Sequence, residues 1–343
     1  MPSETQPRRK QVLSGIQPTG DLHLGRYFGA VKNWVDLQEK YDCLYCVVDY
    51  HALTMPFNPK TLRDQVWKLA FDLIAVGLEP KHMFIQSMIP EHTELAWIFN
   101  CLSSYGEVSR MTQFKDKSQQ INEKDKDAFI STGLFMYPVL QAADILIYRA
   151  DYVPVGKDQD QHLELSRNIA QRFNQIVGQE YFVLPETLYT ETPKVMSTSD
   201  PLKKMSASLG PKHFVNIFSE PDVIRKQIKT AVTDSGDTPP GKISPGVENL
   251  FLLLDAAGGK VISASLREDA KAGTLQYGKL KETTADYVIA MSDSFREKRK
   301  EIEQNPEPYK EQVKDASVRI RKQAQKTIME VKDLIGLQNV RSF

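Results

Sequence analysis

Over the first 210 residues, short apolar runs alternate with longer stretches in which apolar residues recur near every 3.6 positions. Residues 11–15 read as a strand. Residues 24–40 read as a helix, with Phe28, Val31, Val35 and Leu37 close to the helical period. Residues 44–48 form a second predicted strand, 61–76 a second helix closed by Gly77, 83–86 a third strand and 93–102 a third helix. The apolar stretch 133–148 predicts a buried helix, 153–155 a short strand and 161–176 another helix. Strands alternating with helices imply βαβ units and an α/β fold on a parallel sheet. Residues 184–209, with Pro185, Pro193 and Pro201, read as irregular. From about residue 212 the pattern becomes helices separated by Pro/Gly loops, which places a domain boundary near 210. In a last helix at about 310–335, Ala324, Ile328, Val331 and Ile335 share one face, so that face must pack on something. Residues 1–10 are polar and expected to fray, and the charged stretch 115–127 reads as a surface loop.

The 343 residues suggest about two domains. A hydrophobic fraction of 41% is that of a globular protein, and no apolar run approaches the roughly 18 residues of a membrane span. Arg8, Arg9 and Lys10 are followed by residues too polar for a signal-peptide core, so a cytosolic enzyme is the expectation. The odd set Cys43, Cys46 and Cys101 excludes a disulfide scaffold. Cys43 and Cys46 have metal-ligand spacing but lie in an apolar strand with no second pair, so they read as buried thiols. The net charge is zero, with 44 basic and 44 acidic residues, which at first argues against a polyanionic partner. The zero conceals an asymmetry. Residues 1–202 hold 20 basic and 25 acidic side chains, and residues 203–343 hold 24 and 19, so the halves carry −5 and +5.

Two distant segments carry chemistry. The first loop and helix start read Gly15-Ile-Gln-Pro-Thr-Gly20-Asp-Leu-His23-Leu-Gly25-Arg26. This is neither of the common glycine-rich nucleotide fingerprints. Its glycines permit close approach, and His23 and Gly25 fall at a helix start, where free N–H groups favour phosphate. A glycine-rich turn with a surface histidine fits the same residues. The second segment, Lys203-Lys204-Met205-Ser206-Ala207-Ser208, suits a flexible loop that clamps phosphate oxygens, and also a solvated basic loop.

Together the two segments resemble the HIGH-type and KMSKS-type signatures of the class I aminoacyl-tRNA synthetases. Further segments narrow the likeness: Gly156-Lys-Asp158-Gln159 running on to Asn174, Tyr137-Pro-Val-Leu-Gln141-Ala-Ala-Asp144, Ser14 to Gly20, and Arg110 to Ser118. These are similar to the bacterial-type tryptophanyl-tRNA synthetases, densely over 11–210 and thinly beyond.

The resemblance implies a Rossmann-like catalytic domain over 1–210, joined by a C-terminal helix at 316–343. It implies an all-helical tRNA anticodon-binding domain over 211–315. The implied reaction activates L-tryptophan with ATP and Mg²⁺ and transfers it to the 3′ end of tRNA(Trp) in a cytoplasmic homodimer. By matching position, Gln17, Pro18 and Thr19 line the ATP site, with Gln17 also at tryptophan. Gly25 and Arg26 lie by adenosine, His23 donates to the phosphates, and Gly156, Lys157 and Asp158 meet the ribose. Val195 offers a backbone group to adenine. Lys204, Met205, Ser206, Ala207 and Ser208 close over pyrophosphate, and Lys117 lies near the phosphates. Asp144 accepts the indole N–H, with Tyr137 and Gln141 on the same helix. Leu13, Val48 and His51 form other walls, although His51 reads equally as a structural histidine. Asp144 is unusual on its own terms, because a carboxylate in an apolar helix is costly without a partner.

The match has departures. Ala207 stands where many members carry the second signature lysine, Arg26 where Asn or His is frequent, and Lys157 where an acid is frequent. No cysteine follows Cys101, so no C-terminal Fe–S cluster is expected, nor a structural zinc. The alternatives are a tyrosyl-tRNA synthetase, a noncatalytic relative that binds tryptophan or RNA, and another adenylyl-transferring enzyme of the superfamily. Arg225, Lys226 and Lys229 form a basic helix face that reads as a solvated face or as an RNA contact.

Overall fold

The computed structural model describes residues 9–114, 118–119, 129–156, 159–189, 193–234 and 242–339. Five parallel strands form one sheet: β1 (Gln11–Ile16), β2 (Asp42–Val47), β3 (Met83–Ile85), β4 (Tyr152–Pro154) and β5 (Glu186–Leu188), in the order β3-β2-β1-β4-β5. The chain winds outward from β1 to β3, then returns to lay β4 on the other side of β1. That reversal leaves a crevice at the carboxyl ends of β1 and β4, where open α/β sheets bind ligands.

The first three strands alternate faces with period two. Val12, Cys43, Tyr45, Val47, Met83 and Ile85 join one apolar layer. Leu13, Leu44, Cys46 and Phe84 join the other. Cys43 and Cys46 are three residues apart on one strand, so they enter opposite layers and form no pair; both are buried.

The helical stretch after β1 runs through Leu24–Arg26, a π-helical turn at Tyr27–Val31, and Lys32–Leu37. The β2–β3 crossover carries the helix Leu62–Ala75, which ends at Val76; Gly77 follows at φ +108°. The opposite face is covered by the helices Glu91–Leu102, Thr132–Leu146 and Asp160–Val177. Most of the 115–127 stretch, like residues 1–8, lies outside the described residues.

One strand escapes the hydrophobic pattern. β5 lies inside the stretch read as irregular, and it pairs with β4 through Val153 opposite Thr187. Three partly exposed residues after a proline carry no alternating apolar signal, so only pairing with β4 reveals the strand.

Beyond residue 220 the described elements are helices: Pro221–Lys229, Pro245–Ala256, Lys260–Lys271, Tyr277–Gln304 and Glu307–Leu334. Ile224, Ile228, Leu250, Phe251 and Val288 extend the first apolar layer into this region. The long helix Tyr277–Gln304 packs on Leu62–Ala75. The last helix lies along β3 and Glu91–Leu102. It buries Val313, Ile320, Ala324, Ile328 and Val331, and full burial of each Val or Ile contributes roughly 1.5–3 kcal/mol. The Ile85 N–H donates to Ser317 Oγ (3.4 Å), so the helix covers the free edge of β3.

Candidate active site

The strand β1 delivers the chain into the crevice, and the loop that follows is held by its own arginine. Arg26 donates to the carbonyls of Thr19 (2.7 Å) and Gln17 (2.8 Å). Burial lowers the Arg26 pKa to about 10, so it remains a cation at neutral pH. Gly20 takes φ +68°, a conformation in which a side chain is strained. His23 is extended and caps the following helix, its Nδ1 accepting the Arg26 N–H at 3.3 Å. Burial first, and then the Arg26 charge, depress His23 to about 4. It is therefore neutral at pH 7 and carries its proton on Nε2. The histidine is a donor with a fixed tautomer, not a cation.

The second signature segment comes across to meet the first. Together they line a cleft of about 710 Å³, bordered by Gln17, Thr19, Asp21, His23, Gly25 and Arg26 on one side and by Lys204 to Ser208 on the other. The fit is tight at Gly25, where an added Cβ would lie 3.0 Å from Met205 Cβ and 3.1 Å from His23 Nδ1. Lys204 is exposed on the cleft, and Met205 is buried beneath it. Lys203, beside it, forms an ion pair with Asp200 at 3.0 Å. Pro18 and Val195 are buried and border neither this cleft nor the cavity beside it. Both backbone groups of Val195 serve internal bonds, its N–H to Pro193 and its carbonyl from Met205.

The adjoining cavity, of about 380 Å³, shares Gln17 and Ala30 with the cleft. Leu13, Trp34, Cys46, Val48 and Val153 give it apolar walls, and Gly156 sits at its margin. The helix Thr132–Leu146 sends Tyr137, Gln141 and Asp144 into it from one face, at i, i+4 and i+7. The Tyr137 hydroxyl donates to Gln113 Oε1 (3.0 Å) and lies 2.9 Å from His162 Nε2. His51 is buried against Asp144, its Nε2 2.8 Å from Oδ2. Gln86 Nε2 reaches both carboxylate oxygens, at 2.8 and 2.9 Å. Burial alone would raise the Asp144 pKa; hydrogen bonds from His51 and His92 outweigh it and hold the group at about 2. Asp144 is thus a buried anion at every physiological pH. Lys117, Lys157 and Asp158 lie outside the described residues.

A family model described as tRNA synthetases class I (W and Y) matches residues 5–292. The chain belongs to this class I synthetase family. The Tryptophan–tRNA ligase of Clostridium acetobutylicum is 47% identical over 299 residues, covering 86% of this chain and 87% of that protein. Among solved structures, the tryptophanyl-tRNA synthetase of Campylobacter jejuni, complexed with ADP and tryptophan, superposes with a TM-score of 0.81. It is 35% identical and covers 95% of this chain and 100% of its own. The tryptophanyl-tRNA synthetase of Mycoplasma pneumoniae gives a TM-score of 0.83 at 33% identity, covering 96% and 98%.

Three buried residues of this synthetase escaped the sequence reading. Gln86, His92 and Tyr148 are almost fully inaccessible and form the wall behind Asp144. A usable signal existed for the first two: Gln86 to His92 is the segment leaving the carboxyl end of β3, where polar side chains are candidates for a site. A further polar chain leads away from the synthetase's cleft. Asp21 pairs with Lys68 (2.9 Å), Lys68 with buried Asp72 (3.3 Å), and Asp72 with Arg299 (2.6 Å) of the helix Tyr277–Gln304.

Proposed function

We infer that this chain activates L-tryptophan with ATP and esterifies the amino acid to the 3′ end of tRNA(Trp). The observation that carries the assignment is the union of two cavities at Gln17: a polar cleft between the two signature segments, and an apolar pocket with one buried carboxylate.

In the first step a tryptophan carboxylate oxygen attacks the α-phosphorus. The bond to the bridging oxygen breaks and pyrophosphate leaves. The substrate supplies the nucleophile, so the protein must supply positioning and fixed positive charge. His23 Nε2–H is the neutral donor to the phosphates, and Lys204 is the cation facing the pyrophosphate across the cleft. Gln17, Thr19, Gly25 and the backbone from Met205 to Ser208 shape the ATP side, with Arg26 fixing the loop and Gly156 beside the ribose. Lys117, Lys157 and Asp158 keep the phosphate and ribose assignments that family position implies. In the second step the terminal tRNA hydroxyl attacks the adenylate carbonyl and AMP leaves.

Magnesium fits as a passenger of ATP. Among the described residues lining the cleft, the one carboxylate is Asp21, and its charge is engaged by Lys68. Phosphate oxygens would hold the ion, which supplies further neutralisation of the leaving pyrophosphate.

Tryptophan is selected by an acceptor. The indole has one N–H, and a buried anionic Asp144 rewards it while giving phenylalanine no partner. Tyr137, Gln141, Val48 and His51 complete the pocket.

Residues 1–210 with 316–343 are assigned to catalysis and 211–315 to the tRNA anticodon region. The charge asymmetry does not follow this division: residues 211–315 hold 16 basic and 17 acidic side chains, and the positive excess beyond residue 202 lies in Lys203, Lys204 and residues 316–343. Arg225 and Lys229 already pair with Glu282, and Arg225 with Asp286, so Lys226 is the freer cation of that basic face. A homodimer is what family membership implies, and Trp97, Tyr105 and Phe129, with fractional exposures of 70%, 78% and 84%, are large apolar side chains left open to solvent. No described helix is long and apolar enough to cross a membrane, and a cytoplasmic setting goes with the reaction.

ATP–pyrophosphate exchange with tryptophan, tyrosine and phenylalanine tests the assignment. Exchange with tryptophan alone is expected. A preference for tyrosine would transfer the chain to the other branch of the family, and absence of exchange would favour a noncatalytic binder.

A further inference from the structure

The Lys204 loop is anchored to the helical region. Residues 195–197 and 203–205 form a short antiparallel ladder: the Ser197 N–H donates to the Lys203 carbonyl (2.8 Å) and the Met205 N–H to the Val195 carbonyl (3.1 Å). Met196 and Lys204 face each other in this ladder. The ladder bonds come from the neighbours of Met196, so its own N–H and C=O point to the outer edge. Both are taken there by one side chain. Asn249 Oδ1 accepts the Met196 N–H at 2.8 Å, and Asn249 Nδ2 donates to the Met196 carbonyl at 3.0 Å.

Asn249 is 6% exposed and belongs to the helix Pro245–Ala256. The start of that helix is itself docked rigidly. An added Cβ on Gly246 would lie 2.1 Å from the Val232 carbonyl oxygen, which leaves no room for any other residue. Val232 in turn donates its N–H to the Thr198 carbonyl (2.8 Å), two residues along from Met196. Helix, turn and ladder therefore form one unit, held at Met196 and again at Thr198. A primary amide is the side chain that offers an acceptor and a donor with the spacing of a peptide edge.

We propose that Asn249 is a positioning residue for ATP activation: it holds the Met196–Lys204 ladder so that Lys204 stands over the nucleotide cleft, and it makes the placement of Lys204 follow the helical region. This rests on the reading of Lys204 as a phosphate-facing cation.

Pyrophosphate exchange by full-length Asn249→Ala, Lys204→Ala and the double variant separates the two claims. Asn249→Ala is expected to raise KM for ATP about tenfold, the scale of losing a buried hydrogen-bonded pair, with KM for tryptophan moving less than twofold. In the Lys204→Ala background the same substitution should add little, because the two act as one unit. Asn249→Asp keeps the acceptor and loses the donor; it should show the same selective ATP defect, and it serves if the alanine variant folds poorly. Equal changes in both KM values, or fully additive effects in the double variant, would overturn the proposal and leave Asn249 as packing. An unaltered Lys204→Ala enzyme would instead overturn the role given to Lys204.

Discussion

His92 lies directly behind Asp144, with Nδ1 2.6 Å from Oδ1 and Nε2 2.7 Å from the Tyr148 hydroxyl. Burial pushes the Tyr148 phenol far above its ordinary pKa, so it stays protonated and donates to Nε2. Nδ1–H then has one acceptor, the carboxylate. Two buried side chains in series thereby fix the orientation of an anion that faces a pocket of indole-compatible size.

Removing the anion should remove the selection. Asp144→Ala is expected to reduce kcat/KM for tryptophan by roughly 10²-fold or more, the scale of leaving a buried polar group unpaired. Exchange kinetics at varied tryptophan are the measurement. Near wild-type efficiency would sink the assignment.

Removing the support should loosen the anion without abolishing it. His92→Phe keeps a ring stacked beside Phe84, whose centroid lies 5.8 Å away. It should lower kcat/KM for tryptophan about tenfold, leave KM for ATP unchanged, and lower stability by about 1–3 kcal/mol. A parallel rise in the ATP KM would show a general collapse of the site rather than a loss of orientation.

His23 predicts a pH dependence of folding. The folded state holds this histidine at about 4, by burial and by Arg26, against an ordinary 6.5. Below pH 6.5 the unfolded chain takes up a proton that the folded chain refuses. Stability is thus fully present above pH 6.5 and declines as the pH falls towards 4. Denaturant unfolding at pH 7.5 and pH 5 should show the wild type losing about 2 kcal/mol more than His23→Asn. Equal losses would mean that His23 titrates normally in the folded protein.

The departure at Ala207 is also testable. Ala207 lines the cleft beside Lys204, and an added Cβ on Gly20 would lie 3.4 Å from its Cβ. Lys204→Ala should reduce the exchange kcat/KM for ATP by roughly 10²–10³-fold, with KM for ATP raised, the range for deleting one transition-state charge donor. Ala207→Lys returns a second cation and should raise kcat roughly threefold or more. A slower Ala207→Lys enzyme would indicate that the alanine is required for the approach to Gly20.

Much of the fold and site was legible from local pattern. The short run 11–15 marked the first strand, and period 3.6 placed Tyr137, Gln141 and Asp144 on successive turns of one helix. Both are properties of backbone geometry within a few residues. The glycine-bearing loop and the Lys204 segment were readable through their likeness to the family signatures; Gly20 answers a local turn, whereas Gly25 makes room for Met205, 180 residues along the chain.

What the sequence alone determined is the succession of β1 to β4 with the main helices, the two signature segments and the anomalous aspartate in an apolar helix. Tertiary structure decided the rest. It paired β5 with β4 and laid Glu307–Leu334 along β3. It brought His51, Gln86 and His92 to Asp144, and it set Asn249 against Met196 across 53 residues of chain. These are side-chain and strand-edge bonds between distant segments, and no periodicity records them. Their partners become neighbours only after the sheet has formed and the helices have closed on its two faces.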